Sequence, residues 1–263
     1  MNPLRQIWQF RGLVRALTLS DLRGRYTGAI LGPAWLVLQP LSMVLVYTVI
    51  FSQVMKARLP GQAGEFAYSQ FLCAGLMAWN FFTDIINRGK NVFVEHANLI
   101  KKTSFPRLIL LLPVLSLALF NLLIMFVLTM AFILLVGVVP GWALLSIIPL
   151  LALLAALALG LALLAAVFQV FFRDIGQGID IALQFLFWST PIIYAVSILP
   201  AGLAAALAWN PVFGPVSQLQ HVFLLGEFPQ WRVLAYPLLF TAIVWVFALL
   251  SYQRLYPAML DEL

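Results

Sequence analysis

Two histidines, His96 and His221, and one cysteine, Cys73, stand far apart, and none has a second ligand at metal-binding spacing. A lone cysteine forms no intrachain disulfide and no cysteine-rich zinc site, which leaves Cys73 as a small buried hydrophobe. The nine Asp and Glu residues contain no D-x-D pair, and no nucleophile has a base beside it. Acid–base and covalent catalysis are therefore poorly served. The nearest approach to a phosphate loop, Arg88-Gly89-Lys90-Asn91, lacks the upstream glycine and the closing hydroxyl. No catalytic residue and no metal site is assigned.

Amide and aromatic side chains offer a different chemistry. Trp35, Gln39 and Ser42 share a stripe at i, i+4 and i+7, with Pro40 expected to kink the helix. Gln184, Phe187, Trp188, Pro191 and Tyr194 fall within an arc of ~120° at about 100° per residue. Such stripes serve helix–helix packing or line a path. A path of this kind suits sugars, because aromatic faces stack on pyranose C–H surfaces and neutral amides bond hydroxyls without trapping an ion.

The elements that carry these stripes are dictated by composition. Of 263 residues, 63% are hydrophobic and 9% charged, and the mean hydropathy is +1.02. Soluble domains run at roughly 45–50% and about 25%. A net charge of +6 would suit a nucleic-acid binder, but so apolar a surface would aggregate in water. The chain reads as a polytopic, all-α membrane protein, without nucleic acid among its partners.

A crossing needs about 20 apolar helical residues. Six fit: about 30–54, 68–87, 108–137, 143–171, 178–198 and 233–252, the third and fourth separated by Val138-Val139-Pro140-Gly141-Trp142. An even count puts both termini on one side. Arg5, Arg11, Arg15, Arg23, Arg25, Arg88, Lys90, Lys101, Lys102, Arg107, Arg173 and Arg254 fall on that side. Only Lys56, Arg58 and Arg232 fall on the other, which makes the terminal side cytoplasmic. No crossing carries an ionisable residue near its centre, since Asp84 and Asp180 lie close to cytoplasmic ends; this counts against ion-coupled transport.

Several cytoplasmic segments stand out. Residues 3–19 place Ile7, Phe10, Val14 and Leu17 on one face of an amphipathic helix lying in the membrane plane, either an anchor or a functional element. The arginine-rich first 29 residues lack the apolar core of a cleaved signal peptide. A charged turn over 21–35 then leads into the first crossing. The loop 88–107 can hold a short helix over 92–100, ended by Lys-Lys-Thr-Ser and Pro106 and presenting Phe93, Glu95 and His96 outward. It is either a solvated basic loop or a docking knob. Arg173-Asp174 is expected to pair across a tight turn. On the other side, 199–231 holds two apolar runs too short to span, either a surface loop or short re-entrant helices closing an outer mouth.

The blocks DLRGRYTGAILGPAWLVLQPL, YTVIFSQVM, FLCAGLMAWNFF, LIKKTSFPR, VFFRDIGQ and TPIIY with its WNP turn occur in this order along essentially the whole chain. Together they resemble the permease subunit of ABC-2-type polysaccharide exporters, most of all the O-antigen lipopolysaccharide permeases of Gram-negative bacteria. Capsule and teichoic-acid permeases are more distant. The resemblance implies a homodimer joined to two copies of a nucleotide-binding ATPase subunit in the bacterial inner membrane. ATP and Mg would sit on that partner, leaving no cofactor in this chain. The cargo would be an undecaprenyl-pyrophosphate-linked polysaccharide moved to the periplasm.

On the same resemblance, 92–100 becomes the coupling helix, with Phe93, Glu95 and His96 toward the ATPase. Residues 1–29 become an interface element whose Arg23, Arg25 and Tyr26 lie near the partner and the incoming lipid head group. Residues 199–231 become the periplasmic gate, and 253–263 a cytoplasmic tail. Helical spacing then assigns the channel lining to Trp35, Gln39, Tyr47, Phe187, Trp188 and Tyr194. The apolar stretch VFGPVSQLQHVFLLGEFPQ is less basic than in capsule relatives and favours the O-antigen branch. Rival readings are an ABC-2 drug exporter and a membrane enzyme acting on lipid-linked sugars, for which Asp84 would be the candidate group.

Overall fold

The structure is a computed structural model that describes residues 8–26, 30–50, 64, 66–103, 105–137 and 141–262. Among the described residues every regular element is helical. We number the α-helices α1 (Arg11–Tyr26), α2 (Trp35–Thr48), α3 (Ala67–Gly89), α4 (Val92–Glu95), α5 (Ala97–Lys102), α6 (Leu111–Leu135), α7 (Ile147–Phe171), α8 (Ile175–Ser189), α9 (Ala201–Leu207), α10 (Phe213–Leu225) and α11 (Ala235–Glu262).

With the 3-10 turns that lead into them, α6, α7 and α11 form helices of 29, 30 and 32 residues that are long and apolar enough to cross a membrane. Each exceeds the roughly 20 residues a bilayer core requires. Helix α3 is also long, at 23 residues or about 35 Å, but carries Gln70, Asn80, Thr83, Asp84, Asn87 and Arg88. Burial accounts for Gln70, whereas Asn80, Thr83, Asp84 and Arg88 are half-buried and Asn87 is exposed. Helices α6, α7 and α10 pack around it, and its first fifteen residues are almost all buried. A helix that faces protein can keep side chains that one facing lipid cannot.

Close approach is set by small residues. Ala158, Ala162 and Ala166 of α7 are fully buried at i, i+4 and i+8, a small-residue stripe of the type that lets helices touch in membranes. At the end of α3 a Cβ on Gly89 would lie 2.6 Å from the Ala162 Cβ. Gly89→Leu is therefore expected to cost about 1–3 kcal/mol, read as a lower melting temperature of the purified protein in a thermal-shift assay. On the opposite face of α7, Trp245 Nε1 donates to the Ala156 carbonyl at 2.8 Å and holds α11 in place.

Three local expectations are corrected. Helix α1 runs on to Tyr26, so residues 21–26 are helical and not a turn. The stretch 178–198 is not one helix: α8 stops at Ser189, because Pro191 forces the preceding Thr190 into extended backbone (φ −101°, ψ 136°). Arg173 and Asp174 form no ion pair among the described residues, and Gln169 Nε2 instead donates to the Arg173 carbonyl at 3.1 Å. The expected cytoplasmic tail from 253 is not among these corrections; it continues α11 as helix through Glu262, with Pro257 inside it. Residues 1–7 of the expected interface helix and 51–54 of the first expected crossing lie outside the described residues.

Candidate functional site

Polar and aromatic side chains gather in three places. The first is the segment after α3. The expected helix over 92–100 is two short turns, α4 and α5, meeting at His96 (φ −104°, ψ 18°), whose Nδ1 lies 2.9 Å from the Val92 carbonyl. Val94, Glu95, Asn98, Lys101 and Lys102 share the exposed face. Phe93 does not join them, which corrects its outward assignment. Its ring is fully buried and stacks on Tyr252 of α11 at 6.1 Å, because that face of α4 is turned into the bundle. Tyr252 in turn touches Tyr256, over which the Arg107 guanidinium lies at 5.4 Å. Arg107 also faces Phe105, whose ring meets Phe10 just ahead of α1. This chain of rings fastens α4, α11, the start of α6 and the α1 segment to one another.

Although Glu95 lies on the exposed face, partial cover of its carboxyl raises it above its ordinary value; His96 opposes the shift and Asp21 of α1 adds to it. A raised carboxyl favours the folded state below its unfolded pKa, and that contribution fades as pH rises through the folded value. Glu95→Gln is thus expected to flatten the acid side of the melting-temperature profile and to leave neutral-pH stability equal or slightly higher, as checked by thermal shift between pH 4 and 8.

The second place is Lys90, which in the sequence stands out only by its charge and as part of Arg88-Gly89-Lys90-Asn91. It is 7% exposed at the end of α3. Its ammonium donates to the Gly176 carbonyl at 3.1 Å and pairs with Asp180, so it grips the first turns of α8 from a position just ahead of α4. Little else buries α8: Gly176 and Leu183 are its only buried residues. Gln177, Gln184 and Trp188 are left on its exposed surface. At its far end Phe187 meets Trp79 of α3 at 5.5 Å, and Tyr194 donates to the Trp188 carbonyl at 2.8 Å.

The third place is a groove of about 500 Å³ between α2, α3 and α6, bordered by Trp35, Gln39, Asn80, Asp84, Asn87 and Asn121 among others. Trp35 and Gln39 of the predicted lining thus come together, whereas Phe187, Trp188 and Tyr194 belong to the separate α8 surface. Tyr47 lies in α2, but its side chain is outside the described residues, as are those of Arg25 and Tyr26 at the end of α1. Arg23 is exposed. The polar groups of α3 were missed as a set, although Asn80, Thr83, Asp84 and Asn87 recur at i, i+3, i+4 and i+7, the signature of one helix face.

On the remaining side, the two apolar runs at 199–231 do form short helices. Helix α10 lies against α3: a Cβ on Gly75 would come 2.4 Å from Gln220 Nε2. That nitrogen donates to the Pro191 carbonyl at 3.0 Å and reaches those of Phe71 and Ile192 at 3.4 Å. Asn210 Nδ2, ahead of α10, donates to Thr190 Oγ1 at 2.9 Å.

Among the described residues the chain is helical and mostly apolar, and comparison with known proteins agrees with that character. The chain is 27% identical over 265 residues to the O-antigen export system permease protein RfbA of Myxococcus xanthus, covering 98% of this chain and 96% of the relative. The protein of the same name from Klebsiella pneumoniae is 27% identical over 215 residues, 81% of each. The polysialic acid transport protein KpsM of Escherichia coli is 24% identical over 259 residues, 95% of each. The family model for ABC-2 type transporter membrane proteins matches residues 12–224, from the first turn of α1 to the penultimate residue of α10, and the chain belongs to that family.

Proposed function

We propose that this chain is the channel-forming permease subunit of an ATP-driven exporter that moves an undecaprenyl-pyrophosphate-linked O-antigen polysaccharide across the bacterial inner membrane to the periplasm. The observation that carries the proposal is the end-to-end similarity to a permease named for O-antigen export, with nearly the full length of both chains aligned. In this reading two copies join two copies of a separate ATPase subunit, which binds ATP and Mg. Six helices, α2, α3, α6, α7, α8 and α11, cross the membrane, α8 as a shorter helix that ends at Ser189, with both termini cytoplasmic. The proposed channel lies where the open surfaces of α8 from two copies face each other, with Gln184 and Trp188 toward the sugar.

The ATPase engages the exposed face of α4 and α5. Glu95, His96, Asn98, Lys101 and Lys102 take part, while Phe93 anchors the element from within. Movement there reaches α8 through Lys90. Arg23, Arg25 and Tyr26 receive the lipid head group, and α9 and α10 form the periplasmic gate. The packing of Gln220 beside Gly75 supports a re-entrant α10, since Gly75 lies eight residues, or about 12 Å, inside α3.

A capsule-type polymer is the second reading, favoured by the similarity to a polysialic acid transport protein along 95% of both chains. Isolating the tagged chain from native membranes separates the possibilities. A stoichiometric ATPase partner and loss of O-antigen from the surface of a deletion strain are expected. Loss of capsule with O-antigen intact would favour the second reading, and a chain that purifies alone without ATPase activity would contradict both. In the assembled complex, Glu95→Ala with His96→Ala is expected to leave the permease folded and to uncouple ATP turnover from export. Unchanged export in that variant would make the α4–α5 face a solvated surface.

A further inference from the structure

A second groove, of about 670 Å³, lies between the end of α1, the last turns of α3, α4 and the start of α6. Its lining carries charge of both signs, with Arg88 from α3 facing a space shared with Asp21 of α1, Asp84 of α3 and Glu95 of α4. Arg88 Nε donates to Asp84 at 2.6 Å, yet Arg88 Nη2 is buried and has no hydrogen-bond partner among the described residues. A buried guanidinium nitrogen left unpaired is costly, and a phosphate oxygen is an acceptor whose charge and geometry suit it.

The acidic side of the groove makes the opposite demand. Asp21 adds to the rise of the Glu95 carboxyl, the mark of two carboxylates that repel each other. His96 Nδ1 lies 2.9 Å from the Val92 carbonyl, and in the neutral ring that bond leaves Nε2 as a further acceptor. Three carboxylates against one guanidinium disfavour a pyrophosphate, or any other ligand that brings only negative charge. A simple amine would satisfy the carboxylates but give Arg88 Nη2 no acceptor. A ligand with one phosphate and one primary ammonium meets both demands, because the ammonium offers three donors and the phosphate none.

The remaining lining indicates the source of such a ligand. Leu110, Pro113, Val114 and Leu117 form an apolar wall at the start of α6, a helix long and apolar enough to cross a membrane. The other side is the amphipathic α1, read as lying in the membrane plane. A charged end beside an apolar wall at the membrane surface matches the division of a phospholipid into head group and acyl chain.

We infer that the α1–α3–α4–α6 groove holds the head group of an ethanolamine phospholipid, with its phosphate on Arg88 and its ammonium on Asp21 and Glu95. The inference rests on the membrane topology of the proposed function and adds to it a resident bilayer lipid, distinct from the exported one. That lipid bridges α1 to α4, and so holds the interface helix against the element that faces the ATPase.

The intact complex, stripped of lipid in detergent, is titrated with dioleoyl phosphatidylethanolamine, phosphatidylcholine and phosphatidylglycerol, and bound lipid is counted by native mass spectrometry. Phosphatidylethanolamine is expected to bind about tenfold more tightly than either of the others, the scale of one charge-assisted hydrogen bond. The trimethylammonium of phosphatidylcholine has no N–H to donate, and phosphatidylglycerol brings no cation. Asp21→Asn with Glu95→Gln should remove the preference over phosphatidylcholine. Asp21→Asn alone, outside the proposed ATPase face, should reduce it. Arg88→Gln should weaken both zwitterionic lipids alike. Asp21 is half-buried and Glu95 exposed, and an amide matches a carboxylate in size, so the fold is retained in the first two variants; elution profile checks this.

Equal binding of the three lipids, a preference for phosphatidylglycerol, or a preference that the Asp21 and Glu95 substitutions leave unchanged overturns the site. Displacement of the lipid by an equal concentration of soluble glycerophosphoethanolamine overturns a lipid as the occupant. If the preference is missing from a complex that exports polymer, the site falls and the export reading stands. If the preference holds but deleting the chain leaves polymer export intact, the export reading falls and the site stands.

Discussion

Lys90→Met is expected to abolish most polysaccharide export while ATP hydrolysis by the assembled complex continues. The side chain keeps its length but loses the ammonium that holds the Gly176 carbonyl and Asp180. Gly176 and Asp180 lie four residues apart on one face of α8, so a single nitrogen fixes both the position and the rotation of that helix's first turns. A hydrogen bond to a charged group contributes about 1.5–3 kcal/mol. In an equilibrium between two positions of α8 that is roughly ten- to a hundredfold. Asp180 is 57% exposed and stays hydrated when unpaired, so folding suffers less than positioning. Lys90→Arg, which keeps the charge, should recover most of the export, and Asp180→Asn should fall between. The ratio of polymer exported to ATP hydrolysed in proteoliposomes measures the effect. Wild-type coupling in Lys90→Met would remove Lys90 from the mechanism.

Gln220 carries the second large effect, on stability and on the proposed gate together. One amide nitrogen serves the carbonyls of Phe71, Pro191 and Ile192, two of them in the turn that follows the break of α8. Gln220→Leu fills similar space but leaves those oxygens without their donor, at a cost of about 1–3 kcal/mol. Gln220→Glu is worse, because an ionised carboxylate offers only acceptors to three acceptors. The expected order of melting temperature is wild type, then Leu, then Glu. Because Gln220 also sits against Gly75, both variants should loosen α10 from α3 and raise the leak of a small solute through the assembled complex. Equal melting temperatures for all three proteins would show that α10 is held by apolar packing alone.

Much of this architecture was legible in the sequence because hydropathy runs and prolines are local signals. The apolar runs in 108–137 and 143–171 contain α6 and α7, and the two short runs in 199–231 contain α9 and α10. What could not be read depends on neighbours distant in the chain. Phe93 looks like a surface aromatic until Tyr252, far along the chain, is seen beneath it. Lys90 looks like one more basic loop residue until Asp180 and Gly176 meet it. Asp84 reads as an isolated carboxylate, but Arg88 and Asn121 make it the organiser of a polar face. Trp35 and Gln39 shared a stripe and do share a groove; the α8 aromatics shared a stripe of their own and line a different surface. Periodicity identifies residues on one face of one helix. It does not say which other helix that face meets.

The most direct test of the account is transport itself. Inside-out inner-membrane vesicles containing this chain and its co-purifying ATPase would be supplied with lipid-linked O-antigen polymer on their outer, formerly cytoplasmic, face. Polymer is expected to become protected inside the vesicles only when ATP is present and only when this chain is present, with Lys90→Met hydrolysing ATP but protecting little polymer. Protection that proceeds without ATP, or without this chain, would contradict it.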